Sequence, residues 1–139
     1  VQYTTEDQSD AAFEELVGKA ERLVQELGLH YRLSKLAAGD CSFSMARTYD
    51  IEVWIPSMGI YKEVSSASNA RDYQARRGNV KYRGADKKLH LAHTLNASGL
   101  ATSRVIPAIV EQYQNDDGSV TVPEVLRPYL GIDRIEKQR

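Results

Sequence analysis

The spacing of apolar residues predicts a long amphipathic helix near the start of the chain. Apolar side chains recur every three or four residues across residues 9–27, which places them on one face of a helix. Ser9 is the predicted N-cap, and Gly28 is the residue that ends the helix. The apolar stripe consists of Phe13, Leu16, Val17, Ala20, Leu23, Val24 and Leu27. We therefore expect this helix to cover one side of a core.

An alternating pattern farther along the chain predicts a β-hairpin. Residues 47–55 alternate between apolar and polar, residues 56–59 carry the proline and glycine of a turn, and residues 60–66 return as a second strand. The polar face of the first strand carries Asp50, Glu52 and Trp54. Shorter strands are predicted at residues 1–5, 31–36, 80–83 and 120–122, with a loop at 37–46 and a loop with a short helix at 69–77.

Residues 89–98 predict a further strand that runs through a small-residue turn at Gly99 into a helix from about residue 100. One face of this strand carries Thr94, Asn96 and Ser98. Arg104 would then lie about one turn into the helix. Small hydroxyl and amide groups beside an arginine fit a pocket for a polar ligand with an anionic part. An ordinary half-exposed strand followed by a surface helix has the same pattern.

Pro107 falls inside this second predicted helix. An interior proline removes one backbone hydrogen bond and clashes with the preceding turn, at a cost of about 3 kcal/mol. Either the regular helix starts late or it bends near Ser103. Several short strands with two flanking helices indicate an α+β domain with a mainly antiparallel sheet. The length fits a single domain over residues 1–139, with 132–139 expected to be frayed.

Composition and charge narrow the function classes. Hydrophobic residues make up 42% and charged residues 27%, with a net charge of −1, which is typical of a globular domain and excludes a polycation. No apolar run approaches the ~20 residues of a membrane span. The single cysteine, Cys41, forms no intramolecular disulfide, favours a reducing compartment and is interpreted as chemically inert. Residues 71–88 carry seven Lys or Arg against two Asp, which indicates either contact with phosphates or a solvated rim.

Five segments resemble, in the same order and spacing, those of the seryl-tRNA synthetases, which are class II aminoacyl-tRNA synthetases. They are TYDIEVW (48–54), YKEVSS (61–66), DYQARR (72–77), HTLNASGLATSR (93–104) and PEVLRPY (123–129). Five segments in register are far more specific than one short motif. The resemblance covers essentially the whole chain and implies the C-terminal part of the catalytic domain, including its third signature motif. Ala67, Ala97 and Pro107 depart from the residues usual in that family.

The resemblance implies that serine attacks the α-phosphate of ATP, and that the seryl group then moves to the terminal ribose of tRNA(Ser). ATP and Mg²⁺ are the implied cofactors, with Glu63 and Arg104 as catalytic residues. The implied ATP contacts are Glu63, Val64, Ser65, Ser66 and Arg104. Glu63 and Ser66 would hold the metal, Asn96 and Ser98 would line the serine pocket, and Arg104 would bind the γ-phosphate. Because Glu63 and Ser66 are three residues apart, a bulge or strand end near Ser65 is needed for both to reach one ion.

The resemblance also implies a homodimeric whole protein in the cytoplasm or mitochondrial matrix, without membrane association. The dimer-forming motif, the second signature motif and the arm that recognises tRNA are expected before Val1. The isolated chain is therefore expected to be weakly active or inactive. Two alternatives remain open: a catalytically inactive synthetase-like binding or regulatory protein, and a ligase that loads an amino acid onto a carrier protein.

Overall fold

A computed structural model describes residues 1–136. The helices are α1 (Ser9–Glu26), α2 (Tyr73–Gly78), α3 (Thr102–Gln112) and α4 (Arg127–Leu130). The strands are β1 (Gln2–Thr4), β2 (Tyr31–Lys35), β3 (Arg47–Ile55), β4 (Ile60–Arg71), β5 (Lys81–Arg83), β6 (Leu89–Leu91), β7 (His93–Asn96), β8 (Val120–Thr121) and β9 (Arg134–Ile135). Single 3₁₀ turns occupy Pro56–Met58 and Glu124–Leu126.

One five-stranded antiparallel sheet organises these elements, in the order β1-β7-β4-β3-β2. Strands β5 and β6 form a separate two-stranded ribbon, and β8 pairs with β9. The sheet and its flanking helices confirm the predicted α+β class, and β7 lies beside the predicted hairpin of β3 and β4. No helix within residues 1–136 has the length and apolar character that crossing a bilayer requires.

Helices α1 and α3 cover one face of the sheet, as the apolar stripe predicts. Phe13 of α1 is fully buried and packs in a cluster with Ala67 of β4 and Leu95 of β7. A second cluster joins α1 and α3 to the same face through Val24, Ile51, Val53, Val64, Val105 and Ala108. The opposite face, which carries the polar residues of β3 and β4, has neither of these helices over it. This uneven coverage leaves one face of the sheet for chemistry.

Strand β4 is longer than predicted, and its extension changes the role of Ser9. The expected loop at 69–71 is instead paired with β3 and β7, because a strand between two partners satisfies its backbone groups on both sides. Asn69 is consequently buried and donates from Nδ2 to Ser9 Oγ at 2.8 Å. The predicted cap was wrong: Gln8 is the N-cap residue of α1, and Ser9 is the first residue of the helix. Gly28 ends the helix at φ +66°, as predicted.

The predicted strand at 89–98 is two strands, because its halves pair with different partners. Strand β6 pairs with β5, whereas β7 pairs with β4 and β1. Between them, Ala92 donates its N–H to the Val80 carbonyl at 3.1 Å. Helix α3 begins late, at Thr102, because the Ala101 N–H donates to the Val64 carbonyl and holds the preceding chain along β4. The helix continues through Pro107 to Gln112.

Part of the tail that was expected to fray is paired. Val120 and Thr121 form a two-residue antiparallel pair with Ile135 and Arg134. Arg134 also forms an ion pair with Asp117, one of the two acidic residues of the turn that precedes β8. The remainder of that expectation, residues 137–139, lies outside the described residues.

Candidate functional site

The candidate site lies on the open face of the sheet, where β3 and β4 pair. Glu63 stands opposite Glu52, and Ser66 stands opposite Asp50. Directly paired residues in an antiparallel sheet project to the same face. Since Asp50 and Glu52 are two residues apart on β3, their partners Glu63 and Ser66 share the open face as well.

A bulge at Val64 makes this arrangement possible. On a regular strand, residues 63 and 66 would project to opposite faces. The register shifts between Ile51 and Glu52: Ile51 pairs with Ser65 and Glu52 pairs with Glu63, which leaves Val64 as one extra residue on β4. The extra residue restores Ser66 to the face of Glu63. Of the two arrangements expected near Ser65, a bulge or a strand end, the structure has the bulge.

Val64 and Ser65 themselves point into the covered side of the sheet. Val64 is fully buried in the apolar cluster and Ser65 is 1% exposed. Ser65 Oγ donates to the Ser98 carbonyl at 2.7 Å, and the Val64 carbonyl accepts from Ala101 N–H at 2.7 Å. The Val64 carbonyl and the Ser65 hydroxyl thus hold the segment after β7 against β4, and neither side chain lines the open face.

Arg104 reaches Glu63 from the first turn of α3. Its Nη1 donates to the Glu63 carbonyl at 2.7 Å and lies 3.5 Å from Glu63 Oε2. Both side chains are about half exposed, at 50% and 43%. They open onto a cleft of about 450 Å³ whose other lining residues are Ile55, Met58, Lys62, Ser103, Pro107 and Glu111. The cleft offers a carboxylate and a guanidinium to a solvent-borne ligand.

Asn96 occupies the same open face farther along β4. It stands opposite Ser68, whose hydroxyl lies 2.9 Å from that of Thr48. Ser98 lies beyond the end of β7 with an exposed side chain, and its carbonyl accepts the hydrogen bond from Ser65. The structure therefore places Glu63, Ser66 and Asn96 on the open face and brings Arg104 to Glu63, whereas Ser66 and Asn96 do not line the cleft.

Two acidic groups of this face were on the predicted polar strand but had no predicted role. Glu52 accepts from Arg32 Nε of the edge strand β2, and the Arg32 guanidinium lies 4.4 Å from the centre of the Tyr61 ring. Asp50 Oδ1 is buried without a hydrogen-bond partner among the described residues. Alternation in the sequence placed both acids on the face, but only the pairing of β2 with β3 shows which of them is neutralised.

Comparison with known proteins gives consistent results. The family model of the tRNA synthetase class II core domain (G, H, P, S and T) matches residues 1–113. Serine–tRNA ligase 2 of Clostridium acetobutylicum is 70% identical over 135 residues, which is 96% of this chain and 32% of the relative. The serine–tRNA ligase of Fervidobacterium nodosum is 57% identical, over 98% of this chain and 32% of the relative. The chain therefore spans about a third of the length of these curated relatives.

Solved structures show the same likeness. Seryl-tRNA synthetase from Pyrococcus horikoshii, complexed with ATP, superposes with a TM-score of 0.94 at 42% identity, over 99% of this chain and 31% of that one. Cytoplasmic serine–tRNA ligase from Naegleria fowleri, in complex with AMP, gives a TM-score of 0.89 at 38% identity, over 99% of this chain and 33% of that one. By sequence and by fold, the chain belongs to the class II tRNA synthetase core-domain family, and the relatives that it matches are seryl-tRNA synthetases.

Proposed function

We propose that this chain is part of a serine–tRNA ligase, and that it supplies the residues that hold the phosphates of ATP and the serine. In the first step, a serine carboxylate oxygen forms a bond to the α-phosphorus of ATP and pyrophosphate leaves. In the second step, the seryl group passes to a ribose hydroxyl of tRNA and AMP leaves. Neither step needs a protein nucleophile, so the protein contributes positioning and charge stabilisation.

The observation that carries the proposal is the bulge at Val64, which gathers Glu63 and Ser66 on the face that Arg104 reaches. An arginine suits phosphate oxygens because it is always charged and presents a planar fork of donors. We infer that Arg104 binds the terminal phosphate and exchanges its 3.5 Å contact with Glu63 for that ligand. The ATP complex of the Pyrococcus horikoshii relative supports nucleotide binding at this fold.

The donors at this position also fit Mg²⁺. The ion prefers oxygen ligands, takes one or two carboxylates from the protein and keeps water or phosphate in its other positions. Glu63 and Ser66 offer a carboxylate and a hydroxyl on one face, with the unpartnered Asp50 Oδ1 opposite Ser66. No group of three or more Asp, Glu, His or Cys suited to a metal occurs in residues 1–136. The bound ion would neutralise phosphate charge, and Glu63 and Ser66 would hold it.

We assign the serine pocket to Asn96 and Ser98. Asn96 lies on the open face, and short amide and hydroxyl groups can hydrogen-bond both the hydroxyl and the ammonium of serine. The whole protein would act as a homodimer in the cytoplasm, with serine, ATP and tRNA(Ser) as substrates. The chain itself, at about a third of the length of its relatives, is expected to give little serine-dependent pyrophosphate exchange. Near-normal exchange by the chain would contradict that expectation.

The assignment of Arg104 is tested by comparing ATP with AMP, which lacks the terminal phosphates. We expect Arg104→Gln to weaken Mg²⁺-ATP binding by the chain about 10-fold or more, because charge-assisted hydrogen bonds contribute about 1.5–3 kcal/mol. AMP binding should be unchanged. Titrations followed by amide chemical shifts measure both ligands, including weak ones. Arg22→Gln, which removes an exposed arginine of α1, is the matched control.

Glu63→Gln tests the metal assignment in the same titrations. It should reduce the dependence of ATP affinity on Mg²⁺ while it leaves metal-free AMP binding intact. Equal losses for ATP and AMP in Arg104→Gln, or an unaltered Mg²⁺ dependence in Glu63→Gln, would contradict these assignments. Unchanged aminoacylation by the whole protein carrying Glu63→Gln would favour a regulatory role instead.

A further inference from the structure

Positive charge is concentrated in one segment of this chain. Residues 71–88 carry seven Lys or Arg and two Asp, whereas the remaining residues carry eleven Lys or Arg and seventeen Asp or Glu. The segment comprises α2 and the β5–β6 ribbon with its turn, and all seven cationic residues are exposed. We call this segment, together with the neighbouring Phe43, the basic ribbon surface. A cationic surface on an otherwise acidic chain attracts polyanions directionally.

The two acids of the segment are already engaged and leave most of the cations available. Asp72 pairs with Arg76, and Asp86 hydrogen-bonds to His90 at 2.9 Å. The hydrogen bond from Arg76 lowers the pKa of Asp72, and the one from His90 lowers the pKa of Asp86. Within residues 1–136, no ion pair involves the three lysines of the ribbon and its turn, which are Lys81, Lys87 and Lys88.

Aromatic side chains lie among these cations and belong to neither hydrophobic core cluster. Phe43 is 88% exposed and meets the Tyr73 ring edge-on, with ring centres 5.8 Å apart. The Arg77 guanidinium lies 3.5 Å from the centre of the Tyr73 ring. On the ribbon, Tyr82 stacks with His90 at 5.6 Å. Exposed aromatic faces beside cations are the combination that binds the bases and phosphates of single-stranded nucleic acid.

The basic ribbon surface adjoins the face that carries the candidate site. Thr94 Oγ1 donates to Gln74 Oε1 of α2 at 2.6 Å, which fixes α2 beside β7. Thr94 precedes Asn96 by two residues on that strand, and both project to the open face. A polynucleotide lying on the ribbon can therefore run directly toward the open face.

We propose that the basic ribbon surface binds a single-stranded stretch of the RNA whose end is served by the candidate site. Lys81, Lys87 and Lys88 contact its phosphates, and an unpaired base stacks on Phe43. The identity of the RNA as the aminoacylated substrate rests on the proposed function. Acidic proteins and anionic membranes would satisfy the lysines but would offer no base to the exposed aromatic ring, so RNA fits both halves of the surface.

The test measures binding of the chain to a fluorescein-labelled single-stranded RNA of about 12 nucleotides, by anisotropy between about 50 and 200 mM salt. The variant Lys81→Gln/Lys87→Gln/Lys88→Gln should flatten the plot of log affinity against log salt by about 2 units, since each lost phosphate contact contributes about 0.7. The control Lys19→Gln/Arg22→Gln/Lys35→Gln changes net charge equally but alters exposed cations of α1 and β2. It should keep the original slope. Equal flattening in both variants, or none in either, overturns the proposal.

Phe43→Ala tests the stacking half separately. We expect it to weaken RNA binding about 5-fold to 100-fold with an unchanged salt slope, because stacking of one base is electrostatically neutral to first order. Ile106→Ala, which shortens an exposed apolar side chain of α3, is the control. Equal effects of the two substitutions would refute the stacking of a base on Phe43. Equally tight binding of poly-glutamate by the chain refutes the assignment to RNA.

These measurements contain neither serine nor ATP, so they fail independently of the nucleotide titrations. RNA binding should survive Glu63→Gln, whose side chain is in the cleft and not on the ribbon. If RNA binds as expected while Mg²⁺-ATP does not, the RNA-binding role of the basic ribbon surface is supported and the proposed function is contradicted. If Mg²⁺-ATP binds as expected and RNA binding does not depend on the ribbon lysines, only the RNA-binding role of the basic ribbon surface is contradicted.

Discussion

The contact between Gly28 and Tyr113 gives a quantitative prediction about how α1 is held to the rest of the fold. Gly28 follows α1 in the left-handed region, at φ +66°. Tyr113, just after α3, donates its hydroxyl to the Leu27 carbonyl at 2.8 Å. A Cβ added at Gly28 would clash with Tyr113 Oη but would lie 3.7 Å from Cζ, an ordinary contact. The hydroxyl alone therefore occupies the space that an alanine would need.

The cost of Gly28→Ala is the sum of two effects of similar size. A left-handed backbone with a Cβ costs about 1 kcal/mol. The tyrosine must also withdraw its hydroxyl, which forfeits a hydrogen bond contributing about 1 kcal/mol. We expect about 2 kcal/mol for Gly28→Ala and about 1 kcal/mol for Tyr113→Phe. The double variant should lose only about 2 kcal/mol, since the same hydrogen bond cannot be lost twice.

Urea denaturation of the four proteins measures the free energies of unfolding and the coupling between the two sites. Gly59→Ala is the matched control, because Gly59 has φ +63° but no atom within 4 Å of an added Cβ. It should cost about 1 kcal/mol whether or not Tyr113 is changed. Additive losses for Gly28→Ala and Tyr113→Phe would refute the hydroxyl clash as the cause.

Two further predictions concern stability away from the candidate site. Asn69→Ala should lower the free energy of unfolding by about 2–4 kcal/mol, because buried Asn69 bonds both Ser9 Oγ and the Arg71 N–H, each at 2.8 Å; a loss under about 0.5 kcal/mol in urea denaturation would contradict this. Hydrogen bonds from the Ser119 side chain and backbone, with Arg134 nearby, lower the pKa of Asp117 in the folded state. Its stabilisation is therefore present above the unfolded pKa of about 3.9 and is lost as pH falls through the lower folded pKa. Asp117→Asn should make the urea midpoint of unfolding fall less steeply as the pH drops below about 4. An unchanged pH dependence in this range would refute the contribution of Asp117.

Local sequence patterns correctly predicted the elements whose formation depends mainly on residues close in sequence. The helix stripe ending at Gly28 and the alternation of residues 47–55 appear in the structure as α1 and β3, with the turn at 56–59 between β3 and β4. These features depend on backbone periodicity and on residues that adopt turn conformations, which a sequence displays directly. The resemblance of five segments extended this to the family, and the family comparison confirms it.

Contacts between residues distant in sequence determined the features that the sequence did not predict. The chain could not show that Ala92 divides β6 from β7, because the break follows from which strand each half pairs with. Nor could it show that Ser9 receives Asn69 rather than capping α1, since sixty residues separate the two side chains. The roles proposed for Glu63, Ser66 and Arg104 come from the resemblance, whereas the shared face of Glu63 and Ser66 and the contact of Arg104 with Glu63 are seen only in the fold.

By itself, the sequence determined the α1 helix, the β3–β4 hairpin and the membership of a synthetase family. Only the tertiary structure decided that Val64 is the bulged residue, because a bulge is a mismatch in count between two strands and exists only once they pair. It also decided that Arg104 meets Glu63, since the segment after β7 is held against β4 by hydrogen bonds to Val64 and Ser65. The sequence contains the carboxylate of Glu63 and the hydroxyl of Ser66, and the pairing of β3 with β4 places both on one face of the sheet.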